Sequence, residues 1–285
     1  MTRRTELFAR LARLDRRWIF LALLVATSAP FVLPFGFAVS PGPETLRFDR
    51  ALEKALASDK PLLIDVDFGP QTMAEMEPLL LAVMHDVFAH RRKVIFMTLM
   101  PEAATPLRRY LASMEKLYGL KYGEDYVFLG YASAYAYAIY ALGTNVEDYF
   151  KADDRGTPVA RIPIMRGVRS LSDVSAVVNI ASNAMPRFWI TYGVAPFGFD
   201  LLMACTAVQA TDYYPFLQSG QLKGMLAGGR AGAELEGLLV KRGVMKRTGD
   251  ATRALGSQTM AFGVIIGFVI AGNLGWFLGG RGGRR

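Results

Sequence analysis

Cysteine and histidine are scarce in this 285-residue chain, which contains one cysteine and two histidines. The single cysteine, Cys205, excludes an intramolecular disulfide. His85 and His90 are five residues apart, so a helix would place them on different sides, and no cysteine is near them in the sequence. Because a zinc site needs three or four ligands, the sequence predicts no metal centre of this kind.

Signatures of nucleotide-binding and nucleophilic sites are missing as well. Residues 224–231, GMLAGGRA, have the glycine spacing of a phosphate loop, but Arg230 and Ala231 replace the lysine and the magnesium-binding hydroxyl. The chain has no G-x-G-x-x-G dinucleotide motif and no G-x-S-x-G nucleophile elbow. These absences favour a protein that is not an enzyme and has no cofactor, and they nominate no catalytic, cofactor-binding or metal-binding residue.

Two apolar segments near the ends of the chain predict membrane-spanning helices. Residues 18–39 and residues 260–280 contain no charged side chain, and about 20 apolar residues are enough to cross a bilayer. A cleaved signal peptide is the alternative for the first segment. Because Pro41 follows the small residues of the potential cleavage site and the preceding region is long, a retained anchor is favoured.

Much of the net charge of +8 lies at the two ends of the chain. Residues 1–17 form a basic amphipathic segment expected to lie on the cytoplasmic lipid surface, and residues 281–285 form a basic tail. Basic residues in these places predict contact with anionic lipid and none with nucleic acid. We expect a two-pass protein of a bacterial inner membrane with both termini in the cytoplasm and residues 41–256 outside it. The alternative is a cytoplasmic domain with both termini outside.

Small residues recur every fourth position along the second apolar segment. Such a stripe lets two helix backbones approach closely in a membrane. We therefore expect this helix to associate with copies of itself or with other integral membrane proteins. The stripe consists of Gly263, Gly267, Ala271, Gly275 and Gly279.

The region between the two apolar segments alternates between strand-like and helix-like patterns. Short apolar runs without polar alternation are typical of strands that are buried on both faces. Their alternation with helices predicts an α/β domain with a doubly wound, mostly parallel, Rossmann-like sheet, placed between an N-terminal and a C-terminal transmembrane helix. The predicted strands lie in residues 61–68, 93–100, 125–131, 173–182 and 199–208.

A second run of glycines lies in residues 219–239, with glycine at every fourth position: Gly220, Gly224, Gly228 and Gly232. The charged residues among them exclude a membrane span. We interpret the run as one helix with a smooth face, because glycine destabilises a helix by about 1 kcal/mol unless a close contact compensates for it.

Polar residues follow or end several of the predicted strands. Ligands of parallel sheets bind beyond the carboxyl ends of the strands, so these residues are the candidate ligand site. Asp65 and Asp67 stand out, since residues two apart on a strand point to the same side and paired carboxylates can hold Mg²⁺ or do acid–base work. The competing interpretation is solvated or capping carboxylates. The candidates are Asp65, Asp67, Glu102, Asn183 and Asp212.

Two functions are therefore open. The favoured one is a non-catalytic, membrane-anchored scaffold or assembly subunit of a membrane complex, joined to its neighbours by the glycine-striped helix. The alternative is a membrane-bound α/β enzyme or ligand-binding receptor that uses the carboxylates at the strand ends.

Overall fold

The computed structural model describes residues 15–33 and 39–279. Residues 39–251 form one compact unit, the α/β domain, and the terminal segments form another. Most of the predicted basic N-terminal segment, residues 1–14, lies outside the described residues, as does the basic tail, residues 281–285.

The α/β domain is built on a six-stranded, all-parallel sheet, which confirms the predicted fold class of this region. The strands are β1 (Leu62–Asp67), β2 (Val94–Thr98), β3 (Tyr126–Tyr131), β4 (Val177–Ala181), β5 (Leu201–Cys205) and β6 (Gly224–Ala227). Their order is β3-β2-β1-β4-β5-β6. The chain therefore winds outward from β1 in one direction and then from β4 in the other, so the switch point lies between these two strands.

Helices precede, connect and follow the strands. They are α1 (Arg16–Val32), α2 (Pro43–Leu56), α3 (Met73–Ala89), α4 (Pro101–Tyr118), α5 (Tyr135–Thr144), α6 (Val146–Tyr149), α7 (Met185–Phe188), α8 (Ala195–Phe197), α9 (Ala210–Gln218), α10 (Gly228–Lys241) and α11 (Asp250–Gly279). A π-helix, Trp189–Val194, joins α7 to α8, and short 3-10 turns occupy Pro70–Thr72, Val159–Arg161, Pro163–Met165 and Leu171–Asp173.

Two apolar layers cover the sheet, one on each face. Helices α2, α3, α4 and α10 contribute to the first layer, with Phe48, Leu79 and Leu235 among its buried side chains. Helices α5 and α9 and the π-helix contribute to the second, which contains Ile139 and Trp189. Coverage on both faces explains why the strands are continuous apolar runs.

The prediction of one helix over residues 219–239 is wrong. The structure has a turn after α9, then strand β6, and then helix α10 from Gly228. Gly220 and Gly228 have positive φ angles of 80° and 70°, which a continuous right-handed helix does not allow. Gly224 lies in β6, where a Cβ atom would be 2.5 Å from the Cα atom of Phe48 in α2.

The terminal unit contains α1 and α11. The Ser257 hydroxyl of α11 donates a hydrogen bond to the Thr27 carbonyl oxygen of α1 at 2.9 Å, so the two helices are in contact. Among residues 15–33 and 39–279, one helix is long and apolar enough to cross a membrane: residues 250–274, with a mean hydropathy of 1.8.

The first predicted span is only partly described. Helix α1 has 17 residues and ends at Val32, while residues 34–38 of the span lie outside the described residues. A membrane-spanning role for residues 18–39 therefore stays a prediction.

Candidate functional site

Asp65 and Asp67 lie on β1, at the switch point of the sheet. Both side chains are completely buried. They point to the same face of the strand as Leu63, towards the layer that contains Trp189. In the neighbouring strand β4, Asn179 is directly opposite Asp65.

Hydrogen bonds connect the two carboxylates to three other elements. The Asn179 amide Nδ2 donates to Asp65 Oδ2 at 3.0 Å and to Asp67 Oδ2 at 3.1 Å. The indole Nε1 of Trp189, in the π-helix, donates to Asp65 Oδ2 at 2.6 Å. The backbone N–H of Leu99, just after β2, donates to Asp67 Oδ1 at 2.6 Å, and the Thr98 hydroxyl donates to the same oxygen at 3.3 Å.

The pKa values of both carboxyls are raised. Burial raises the pKa of Asp65 well above its ordinary value, and the negative charge of Asp67 raises it further, against the hydrogen bonds from Trp189 and Asn179. Burial also raises the pKa of Asp67, but hydrogen bonds from Asp65 and the Leu99 N–H lower it. The pKa is thus raised more strongly at Asp65, so of the two carboxyls Asp65 is the one that holds a proton more tightly.

Side chains of the domain close the edge of the sheet above this pair. The Thr72 hydroxyl donates to Ser182 Oγ at 2.7 Å and so connects the loops after β1 and β4. Asn183 Nδ2 donates to the Asp67 carbonyl oxygen at 3.1 Å. Gln209, after β5, donates to the Asn183 carbonyl oxygen at 2.9 Å. These hydrogen bonds place the protein's own polar groups at the position where Rossmann-type folds bind dinucleotides.

The structure places the five candidate ligand residues in three separate settings. Asp65 and Asp67 form the buried pair, and Asn183 lies directly above it. Glu102 is exposed in the first turn of α4, and Asp212 is exposed in the first turn of α9. Within the described ranges, no group of three or more histidine, cysteine, aspartate or glutamate side chains is arranged to hold a metal ion.

Sequence reasoning missed Asn179 and Trp189, which complete the buried network. The sequence does indicate that Asn179 belongs to a buried polar network, because an amide in the middle of an apolar strand needs a buried partner. No sequence pattern indicates the contact of Trp189 with Asp65, since the two residues lie 124 positions apart. The network joins β1, β2, β4 and the π-helix, and its side chains are fully buried.

The four glycines at every fourth position of residues 219–239 differ in their surroundings. A Cβ atom on Gly228 would lie 2.8 Å from Ala207 Cβ, and one on Gly232 would lie 3.1 Å from Ala251 Cβ. Gly220 has no such neighbour within 4 Å and serves the turn through its positive φ. Close approach therefore occurs in the strand and in α10, without a shared helical stripe.

The stripe in α11 contrasts with these contacts. A Cβ atom built on Gly263 or on Gly267 meets no atom of the described chain within 4 Å, apart from the helix's own neighbouring backbone. Long apolar side chains of the same helix, such as Ile266 and Val269, are more than half exposed. This helix thus presents an uncovered apolar surface that includes the glycines.

The fold and the site define an α/β domain of Rossmann-type strand order, with a buried acid pair at its switch point and an apolar helix at its C-terminal end. No known family model, no curated protein and no solved structure matches the chain.

Proposed function

We propose that this protein is a membrane-anchored, non-catalytic assembly subunit of a bacterial inner-membrane complex. The observation that carries the proposal is the uncovered apolar surface of α11, which combines a membrane-length segment with two glycines, Gly263 and Gly267, that no other described part of the chain covers. Its partners are the lipid bilayer and either other copies of the chain or other integral membrane proteins.

Anchoring follows from the exposed side chains of the terminal unit. Leu24 and Val25 of α1 and Ile266 and Val269 of α11 are each more than half exposed. Exposing this much apolar surface to water is unfavourable, at about 25 cal/mol per Å², whereas lipid tails cover it without this cost. The hydrogen bond from Ser257 to Thr27 supports two helices that enter the bilayer as a pair.

Assembly through α11 follows from its glycines. Each glycine in a helix interior costs about 1 kcal/mol relative to alanine. The stripe has no compensating contact at Gly263 or Gly267 within the described chain. A second helix packed against the stripe would supply that contact, because small residues allow close dispersion contacts between backbones in lipid.

The hydrogen bonds at the switch point support a non-catalytic role. In this fold the crevice between the two central strands is the usual ligand site. Here Trp189 and Asn179 fill it from below, and the Thr72–Ser182 hydrogen bond closes it from above. This arrangement favours a structural function over the alternative of an enzyme or receptor that uses Asp65 and Asp67.

Bulky residues on the stripe test the assembly role. We expect the double variant Gly263→Leu with Gly267→Leu to lose assembly, because leucine side chains prevent the backbones from approaching. The measurement is the native mass of the full-length protein in mild detergent, supported by crosslinking in native membranes. The wild type should give a mass above that of one chain, and the variant should give a smaller one.

A matched control places leucines on a different side of the same helix. Ala261→Leu with Gly272→Leu adds similar bulk away from the stripe, and a Cβ atom on Gly272 also meets nothing within 4 Å. This control should keep the wild-type mass. An unchanged mass in the stripe variant would contradict association through the stripe.

Cysteine labelling tests the proposed orientation. We expect Thr2→Cys to resist a membrane-impermeant thiol reagent in intact cells, and Lys116→Cys, on the exposed side of α4, to react. Cys205 is completely buried and serves as the unreactive background. The opposite labelling pattern would place the α/β domain in the cytoplasm.

A further inference from the structure

A cluster of charged side chains joins three helices on the α3 face of the sheet. Asp86 and His90 belong to α3, Asp49 and Glu53 belong to α2, and Arg242 directly follows α10. The Arg242 guanidinium pairs with the Asp49 carboxylate, and its Nη1 atom lies 3.1 Å from Glu53 Oε1. The cluster therefore connects the helix that opens the domain to the segment that closes it.

Asp86 is the exceptional member of this cluster. Its side chain is completely buried, and neither carboxylate oxygen has a hydrogen-bond partner among the described residues. The nearest basic atom, Nδ1 of His90, lies 3.2 Å from Asp86 Oδ1 but hydrogen-bonds the Asp86 backbone carbonyl oxygen at 2.8 Å. A buried carboxylate without a donor is costly when it is charged.

The charges in the cluster do not balance when every acid is ionised. Three carboxylates, from Asp49, Glu53 and Asp86, then face one guanidinium, and His90 is the remaining titratable base. The Tyr118 hydroxyl of α4 also faces the cluster. Burial raises the pKa of that tyrosine, and the charge of Asp86 adds to the rise. A proton bound at Asp86 removes the worst-solvated of these negative charges.

We propose that Asp86 is a proton-binding site that controls how firmly α2 and the segment after α10 are held against α3. With the proton bound, the cluster is close to neutral and the three elements stay packed. Without it, an unpaired buried charge repels Asp49 and Glu53 and loosens the contact. This inference goes beyond the assembly role proposed above and does not depend on it.

Asp86 titrates in mildly acidic solution, at a pH of about 6. Burial raises its pKa to about 6, with Asp49 and Glu53 adding to the rise and with His90 and Arg242 opposing it. Since the folded pKa is above the ordinary value of ~3.9, the stabilisation is complete below pH ~3.9 and is lost as the pH rises through about 6. The packing of α2 is therefore firmer in mild acid than at neutral pH.

The regulated elements are the covalent connections of the domain. Helix α2 begins at Pro43, soon after the first apolar segment, and the residues after Arg242 lead into α11. A proton at Asp86 thus stabilises the two places where the domain is joined to the terminal helices.

Hydrogen exchange on the full-length protein in detergent tests the proposal. For peptides covering residues 43–56 and 242–249, protection corrected for intrinsic exchange should fall about ten-fold between pH 5 and pH 7. Asp86→Asn, which mimics the protonated acid, should give equal protection at both pH values. His90→Gln should keep the pH dependence and move its midpoint upward, because His90 lowers the Asp86 pKa.

Helix α5, on the opposite face of the sheet, is the internal control and should show no corresponding change. The proposal is overturned if Asp86→Asn keeps the wild-type pH dependence, or if His90→Gln abolishes it. It is also overturned if residues 135–144 lose as much protection as residues 43–56, because the change would then be global. A wild-type midpoint more than about one pH unit from 6 would equally exclude Asp86 as the site.

Discussion

Replacing Asp67 with alanine should destabilise the α/β domain by about 3–5 kcal/mol, among the largest effects expected for any single side chain of this protein. The variant leaves the Leu99 N–H and one amide hydrogen of Asn179 without an acceptor in the centre of the sheet. Each unpaired buried donor costs about 1–3 kcal/mol. The thermal midpoint of the full-length protein in detergent, followed by circular dichroism, should fall by about 10 °C.

The matched substitution Asp65→Asn, two residues earlier on β1, should not destabilise the domain. Asp65 is the carboxyl whose pKa is raised more strongly, and asparagine has the shape and the donor and acceptor groups of the neutral acid. We expect its oxygen to accept from Trp189 and Asn179, as Asp65 Oδ2 does, and its amide to be able to donate to Asp67. We expect Asp65→Asn to be at least as stable as the wild type at pH 7. Equal losses for Asp67→Ala and Asp65→Asn would contradict the assignment of the more tightly held proton to Asp65.

Asp65→Asn should also change the pH dependence of the free energy of unfolding. Because the folded pKa of Asp65 is raised, the stability from its proton is complete below pH ~3.9 and declines as the pH rises towards the folded pKa. The slope reaches about 1.4 kcal/mol per pH unit. As the pH rises above ~3.9, the wild type should lose stability with this sign, and Asp65→Asn should show a smaller slope.

The second large effect is expected at Gly224 in β6. A Cβ atom there would lie 2.5 Å from Phe48 Cα and 3.1 Å from its backbone nitrogen, so the obstacle is the main chain of α2. Since a helix backbone does not yield as a flexible side chain does, Gly224→Ala should push α2 away from the sheet. We expect a loss of about 3 kcal/mol, measured as a lower midpoint of thermal unfolding.

Gly229, five residues further along the chain, is the matched control. A Cβ atom there meets nothing within 4 Å, and the backbone φ is not in the left-handed region. Gly229→Ala should therefore be neutral or stabilise α10 by up to about 1 kcal/mol. A larger loss at Gly229 than at Gly224 would show that steric contact with α2 is not the cause.

Much of the domain could be predicted because its strands are encoded locally. All five predicted strand segments contain a strand of the structure, since continuous apolar runs bounded by polar residues or turns are characteristic of buried parallel strands. Strand β6 is not predicted from the sequence because it has only four residues, Gly224–Ala227, within a glycine-rich run. The regular spacing of the glycines in this run resembles a helical stripe, although Gly220 serves a turn and Gly224 makes a close contact with α2.

The candidate site was predictable only in part. Two aspartates in an apolar strand are a local signal, and their placement on one side of β1 follows from the strand period. The burial and the protonation of the two aspartates do not follow from the strand period. Asn179 and Trp189 lie 114 and 124 residues away from Asp65, and their contacts turn an apparent ligand site into a closed network.

The sequence by itself determined the alternation of strands and helices, the apolar C-terminal helix and the pair of aspartates, because each depends on the pattern of neighbouring residues. The tertiary structure alone decided the order of the strands, the short sixth strand, the closure of the switch point and the burial of Asp86 among three helices. These features depend on contacts between residues far apart in the chain, where the free energy of burying a charge is set by whichever groups the fold brings beside it.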